Sequence, residues 1–453
     1  MSGAVDRSVP PRSESPRRLR FPAFDRFRLD CGLEVLLAPR HAVPMVEVAL
    51  LLPAGAERNP LDRPGLAALT ASLVDEGTRR RSGPRIAEDV ERLGASLSTH
   101  ADWNSADLGA QLLAKDLARG IELLAEIARE PVFPDAEVER LRRQALTELL
   151  RRRDQPAILA EEALARGLYP GTPYGELLLG SAAALTSLGR GEIEAFHAAG
   201  YRPGGGALLI GGDFDAGVAR AALEAAFGDW RDGEATPAPP VSPPLRRARS
   251  VRIVDLPQAA QTELRLGHVG VPRTHPDRPR LTLLNTLLGG KFTSRINLNL
   301  RERNGFTYGA STRYVDRRGP GPFVFSAAVA TEVAGAAVRE TLAELERIRA
   351  EPVGVDELAE TKSYLLGVFP YTLQTVGGLL GRLEELAVYG LADDHFDRSL
   401  EAIEAASASD LLELARAHVR PEEVLIVAAG PAAQLTPQLE PYGPVTVVEA
   451  AAD

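Results

Sequence analysis

Short apolar runs alternate with longer amphipathic stretches along almost the whole chain, and the two periodicities predict strands alternating with helices. Leu33–Leu37 and Val46–Leu52 read as strands on either side of a turn at Pro39–Pro44. Leu66–Val74 has the small, apolar content of a buried helix closed by Gly77-Thr78, and Arg85–Leu93 is amphipathic with helical period. After Gly94, the alternating stretch Ser96–Leu113 suits two antiparallel strands. Ala118–Ala128 returns to helical period, Pro131-Val-Phe-Pro134 interrupts it, and a long arginine-rich helix is expected over Ala136–Arg153. Leu159–Tyr201 reads as helical with Gly and Pro interruptions. Gly205–Ile210 reads as a buried strand ending in Gly-Gly-Asp-Phe, followed by a helix to Phe227.

Thr236–Pro244, TPAPPVSPP, breaks the pattern near the middle of the chain, because such a density of proline favours extended geometry and denies a core. The plan then repeats, with strands at Val251–Val254 and Glu263–Val271, a helix at Leu281–Leu288 and a strand at Gly321–Thr331. Helices follow at Val333–Glu351 and Val355–Leu366, then further helices to His418 and a late strand at Glu423–Ala429. A weak repeat of about 200 residues fits duplicated domains and not a solenoid, whose period would be about 20–50. The expected division is an N-terminal arm over 1–24, one domain over 25–235, a linker over 236–248 and a second domain over 249–453. The fold class is α+β, with two similar domains that each pack helices on a sheet.

Composition narrows the function classes. The net charge of −10 over 453 residues argues against a nucleic-acid surface. Three lysines stand against 49 arginines, a bias of coding more than of chemistry. Cys31 is the single cysteine, so neither an internal disulfide nor a thiolate metal cluster is available. The first 24 residues are rich in Pro, Ser and Arg and hold no apolar run long enough for a signal peptide or a membrane span. They read as a disordered arm on a cytoplasmic protein with no membrane partner.

The most specific stretch is Leu288–Tyr314, LGGKFTSRINLNLRERNGFTYGASTRY. Thr293 or Ser294 can cap a helix whose core face is Ile296 and Leu300, and Asn304-Gly305 ends it. Phe306–Tyr314, rich in aromatic residues and Thr, reads as a strand leaving the same corner. Arg301 and Tyr308 lie seven positions apart across the glycine, so the turn can bring a guanidinium beside a phenol, a site for an electron-rich oxygen. Pairing of Arg301 with a surface carboxylate and burial of Tyr308 in the core is the bland alternative.

This stretch resembles the second half of the pitrilysin/insulinase-type zinc peptidases, the group that includes the mitochondrial processing peptidases. There a Gly-Gly-x-Phe-x-Ser-Arg turn leads through a Leu-Arg-Glu-x-x-Gly helix end to a Tyr, with the same interval between Arg and Tyr. Gly65-Leu-Ala, Gly77-Thr78, Gly211-Gly212-Asp213-Phe214, His275-Pro276-Asp277 and Asn285 extend the resemblance over nearly the whole chain. It implies two domains of the processing-peptidase type, each with a mostly antiparallel sheet. It also implies that Arg301 and Tyr308 hold the substrate backbone near the scissile bond.

Active members of that family carry H-x-x-E-H between the Gly-Leu-Ala and Gly-Thr signals, two zinc-binding histidines on one helical face with a glutamate as general base. Those positions fall here on Ala68, Ala71 and Ser72, and the family's third ligand falls on Glu148. Methyl groups bind no metal, and a lone carboxylate with a serine hydroxyl makes a poor zinc site. None of the seven histidines forms an i, i+3 or i, i+4 pair, the nearest in sequence being His268 and His275. Gly289-Gly290-Lys291 resembles part of a phosphate loop, but Phe292 stands where Ser/Thr is needed.

The resemblance therefore implies a noncatalytic subunit without a metal of its own. An H-x-x-E-H partner chain would bring the zinc, and this chain would bring Arg301 and Tyr308 to short or unfolded peptides, leader peptides among them. The rivals are an inert scaffold like the peptidase-derived core subunits of respiratory complexes, and a stand-alone peptide-binding module.

Overall fold

The computed structural model describes residues 19–231, 233, 235, 237–244 and 246–449. Two six-stranded sheets carry the fold. The first is built from β1 (Asp25–Arg28), β2 (Glu34–Pro39), β3 (Met45–Leu52), β4 (Ser96–Ala101), β5 (Ala106–Leu113) and β6 (Ala207–Gly212), in the order β1-β2-β6-β3-β5-β4. The second contains β7 (Ser250–Asp255), β8 (Thr262–Val269), β9 (Ala310–Tyr314), β10 (Pro322–Val329), β11 (Leu425–Gly430) and β12 (Val445–Glu449), in the order β12-β7-β11-β8-β10-β9. From β2 and β7 onward the two orders superpose strand for strand. The pair β2/β6 is parallel, as is β7/β11, and the following three pairs in each sheet are antiparallel. Only the outer strand differs: β1 runs antiparallel to β2, whereas β12 runs parallel to β7. The class is α+β, two mixed sheets with helices.

The inner strands read as unbroken apolar runs because both of their faces are covered. All six residues of β6 and all six of β11 are buried. One face of each sheet packs on helices of its own half: Val35, Val48, Leu50, Leu208 and Ile210 join the first-half core, and Ile253, Leu264, Leu266 and Ile426 the second. The opposite faces are covered by exchange. Leu36, Leu51 and Leu209 of the first sheet pack on Leu379, Leu380, Leu383 and Leu386 of the helix Val376–Tyr389, which belongs to the second half of the chain. Reciprocally, Val254, Val324, Leu425 and Val427 of the second sheet pack on Leu159, Ala160, Ala163 and Leu164 of the first-half helix Pro156–Leu168. Gly167 permits the latter approach, since a Cβ there would lie 2.3 Å from Leu425 Cδ2.

Polar contacts follow the exchange. Arg252 donates to Ala163 O at 3.1 Å and Arg265 to Ala157 O at 3.2 Å. The buried carboxylate of Glu57 meets Arg318 Nη1 of the other half at 3.3 Å. Desolvation raises the Glu57 carboxyl above its ordinary value, and the Arg318 charge only partly offsets that.

Residues 1–18 of the expected disordered arm lie outside the described residues, but 19–24 correct that expectation. Phe21 is buried, stacks on Phe396 at 4.9 Å and donates its N–H to Asp397 Oδ1 at 2.8 Å. An aromatic with a partner at that distance outweighs the polar composition around it. In the proline-rich stretch, the described residues 237–244 form neither helix nor strand, and Val241 packs beside Tyr169 and Tyr174. No helix among the described residues is long and apolar enough to cross a membrane.

Candidate functional site

The corner between Thr286 and Tyr314 is built by a widened helix. Thr286–Gly290 and Leu298–Arg303 are π turns flanking the short helix Arg295–Asn297. Ile296 and Leu300 are fully buried, as their spacing predicts. Ser294 precedes the helix in extended geometry without capping it through its side chain, and Gly305, at φ 64°, ends the π turn. Lys291 Nζ pairs with Glu360 at 3.0 Å, and Arg295 makes two 2.7 Å bonds to Glu357, so both cations of the Gly-Gly-Lys-Phe-Thr-Ser-Arg segment tie the corner to the helix Val355–Thr372. These are positioning contacts.

The strand expected from Phe306 begins only at Ala310. Asn297 holds the outer edge of this first strand residue: its side chain accepts from Ala310 N–H at 2.9 Å and donates to Ala310 O at 2.7 Å. Phe306–Gly309 form a loop, and Tyr308 sits on it 95% exposed. Burial of Tyr308 in the core is excluded. Arg301 and Tyr308 do not touch as the turn geometry suggested, because Tyr308 precedes the sheet and points into solvent. The Arg301 guanidinium instead lies 4.0 Å above the Phe292 ring and meets Glu302 at 3.5 Å, while its buried Nη1 has no hydrogen-bond partner. Phe292 is itself 66% exposed. Sequence reading assigned Phe292 no role. The available signal was a bulky aromatic kept between two glycines and a polar turn.

The helix Val355–Thr372 adds to this surface. Tyr364, Val368 and Tyr371 recur at i, i+4, i+7 along it and are all exposed, and Lys291 Nζ lies 5.9 Å from the Tyr364 ring. A corner with two exposed aromatic rings, a part-exposed guanidinium and an adjoining aromatic stripe can hold an extended peptide by stacking and by donation to its carbonyls.

In the first half, Ala68 and Ala71 lie on the helix Leu66–Ala71, with Ser72 immediately after it. Ala71 is buried, and Ser72 Oγ donates to Leu69 O at 2.9 Å, so its hydroxyl is already engaged. Glu148, on the helix Asp135–Arg152, faces arginines of its own helix, Arg151 at 3.3 Å and Arg152 at 3.6 Å. These residues do not fit a zinc ion.

The histidines are arranged differently from their sequence spacing. His268 is buried against Phe323 at 5.1 Å and accepts from Arg420 N–H at 3.3 Å, and desolvation pushes it down to about 3, which marks a neutral core histidine. His275, by contrast, comes within 5.2 Å of the His418 ring.

With this geometry described, comparison with known proteins places the chain. Residues 34–182 match the profile of the insulinase family, peptidase family M16, and residues 187–365 match that of the M16 inactive domain. The chain belongs to peptidase family M16. An uncharacterized zinc protease of Rickettsia felis is 24% identical over 76% of this chain and 82% of its own length. A protein of Helicobacter pylori described as a non-peptidase homologue is 21% identical over 85% of this chain and 88% of its own. Among solved structures, an M16 inactive domain from Pseudomonas fluorescens superposes with a TM-score of 0.83 at 24% identity, covering 90% of this chain and 98% of that one. A protease from Helicobacter pylori superposes at 0.84 and 19%, covering 90% and 100%. At such identities the structural likeness fixes the fold. The family thus includes relatives named as proteases and one named as lacking that activity, and residue chemistry must decide between them for this chain.

Proposed function

We propose that this M16 protein is the noncatalytic subunit of a heterodimeric zinc peptidase. It would present Arg301 and Tyr308 to peptides cleaved by a partner chain that carries H-x-x-E-H and its zinc. The observation that carries the reading is the asymmetry between the two halves. Ala68, Ala71 and Ser72 offer no metal ligand, whereas Tyr308 stands 95% exposed and the part-exposed Arg301 guanidinium lies over the exposed Phe292 ring at the same corner. A scaffold has no need of a part-exposed guanidinium and a free phenol at one corner. Attack on a peptide carbonyl puts negative charge on its oxygen, and donors aimed there favour the transition state over the ground state. Tyr308 is free to move to such an oxygen, and Arg301 can offer its fork to the adjoining backbone while Phe292 carries its plane.

The test is kinetic. In the reconstituted complex, Tyr308→Phe removes one donor and lowers turnover by about 10²–10³ with dimerisation unchanged. Arg301→Ala lowers turnover and raises KM. Wild-type turnover in both variants would overturn the assignment and favour the scaffold.

A further inference from the structure

We infer that the second half of the chain holds a divalent cation of the zinc type between His275, Asp277 and His418, a site separate from the degenerate one at Ala68. A nitrogen of each histidine and a carboxylate oxygen of Asp277 lie within 4.8 Å of one another. Asp277 Oδ2 is 3.2 Å from His418 Nε2 and 3.9 Å from His275 Nδ1, and the two rings meet at 79°. In a tetrahedral site with ligand bonds of about 2.0–2.1 Å, the ligand atoms stand about 3.3 Å apart. The Asp277–His418 edge already has that length, and the His275 edge needs about half an ångström of closure.

The surroundings orient the three groups. Asp277 Oδ1 is held by Arg280 at 2.7 Å, which leaves Oδ2 as the oxygen turned to both imidazoles. This is the outer-shell fixing that metal-binding carboxylates receive. Asp277 immediately precedes the helix Arg278–Asn285, and His418 is the last residue of the helix Ala408–His418, two elements packed on each other and 141 positions apart at these residues. His275 Nδ1 accepts from Asp277 N–H at 3.2 Å, a long bond that this nitrogen exchanges for the cation on binding. A hydrogen-bonded tie between the helices needs only Asp277 and His418. A second imidazole, 3.9 Å from the same oxygen and too far for a hydrogen bond to it, supplies the third ligand of a cation site. Three protein ligands leave a position for water, so the site is open on one side. Two imidazoles and a carboxylate at this spacing suit zinc and its first-row neighbours more than calcium or magnesium.

The experiment uses the full chain, stripped with chelator and titrated with Zn²⁺ against a chromophoric competitor, and in parallel with Co²⁺. The expected result is one cation per chain, with visible Co²⁺ bands of a four- or five-coordinate site, in wild type and equally in Glu148→Ala. His418→Ala, Asp277→Asn and His275→Ala each weaken binding by more than about tenfold. His275 lies on a partly exposed turn, so its variant tests the site without disturbing the helix packing. Failure of the wild type to take up one cation, binding unchanged in His275→Ala and His418→Ala, or binding abolished by Glu148→Ala would overturn the inference. None of these outcomes depends on the proposed role of Arg301 and Tyr308.

Discussion

Tyr308 and Arg301 were singled out by their interval and by resemblance, but their separate positions were not legible, because the strand expected from Phe306 begins only at Ala310. Strand propensity in Phe306–Tyr314 is a local quantity. Whether the ladder extends depends on the partner strand β10, whose pairing with β9 ends at Ala310 and Ala327. The same limitation hid Glu384. It sits on the exchanged helix Val376–Tyr389, and burial, followed by the like charge of Asp107, pushes its carboxyl up to about 7 against the opposing pull of His100, with Asp102 and Glu385 adding further negative charge nearby. A group whose folded value exceeds its ordinary 4.5 holds a proton in the native state that the unfolded chain has released. The stability it contributes is therefore full below about 4.5 and lost as pH rises to about 7. Glu384→Gln should flatten that decline and melt higher than wild type at pH 8, with the difference shrinking toward pH 5. Denaturation scans across this range check it, and a variant less stable than wild type at pH 8 would show that the carboxylate is favourably paired.

At the scale of elements, the strands and their order of appearance were largely legible, since period-two and unbroken apolar runs are written into the residues that pair. Helix Ala136–Arg153 and strands Ser96–Leu113 come within a residue or two of the observed elements at their outer ends. What escaped was which sheet each helix covers. Pro156–Leu168 has an apolar face whichever sheet it meets, and only the fold sends it to the second sheet while Val376–Tyr389 crosses to the first. Chain order therefore divides the molecule at the proline-rich stretch, while packing does not respect that division. Each exchanged leucine contributes about 1.5–3 kcal/mol by burial. Leu383, fully buried in the interface with the first sheet, should cost about 2–5 kcal/mol when replaced by Ala. Because the contact joins the halves, hydrogen exchange in Leu383→Ala should quicken in β6 as well as in the helix itself. Quickening confined to residues 376–389 would mean that the first sheet is stable without its borrowed cover.

The whole molecule presents one corner able to hold a peptide and one helix from which the expected hydrolytic residues have been replaced, on two sheets locked together by reciprocal helices. By itself such a body lacks the means to activate water at the Ala68–Ser72 helix. The chain alone is accordingly expected to hydrolyse no peptide, because the Ala68–Ser72 helix supplies neither a metal ligand nor a general base. Co-expression with a related chain that retains H-x-x-E-H should give a one-to-one complex by mass in solution. Peptidase activity should appear only in the mixture, and it should fall in Tyr308→Phe while the complex survives. The exposed stripe Tyr364, Val368 and Tyr371 adjoins the same corner, so peptide bound in the complex should protect these side chains and Tyr308 together from solvent-accessible labelling. Full activity in the partner alone, unchanged by adding this chain, would remove the catalytic accessory role and leave the scaffold. Labelling of Tyr308 unaffected by peptide would show that the corner, although free, is not where the substrate lies.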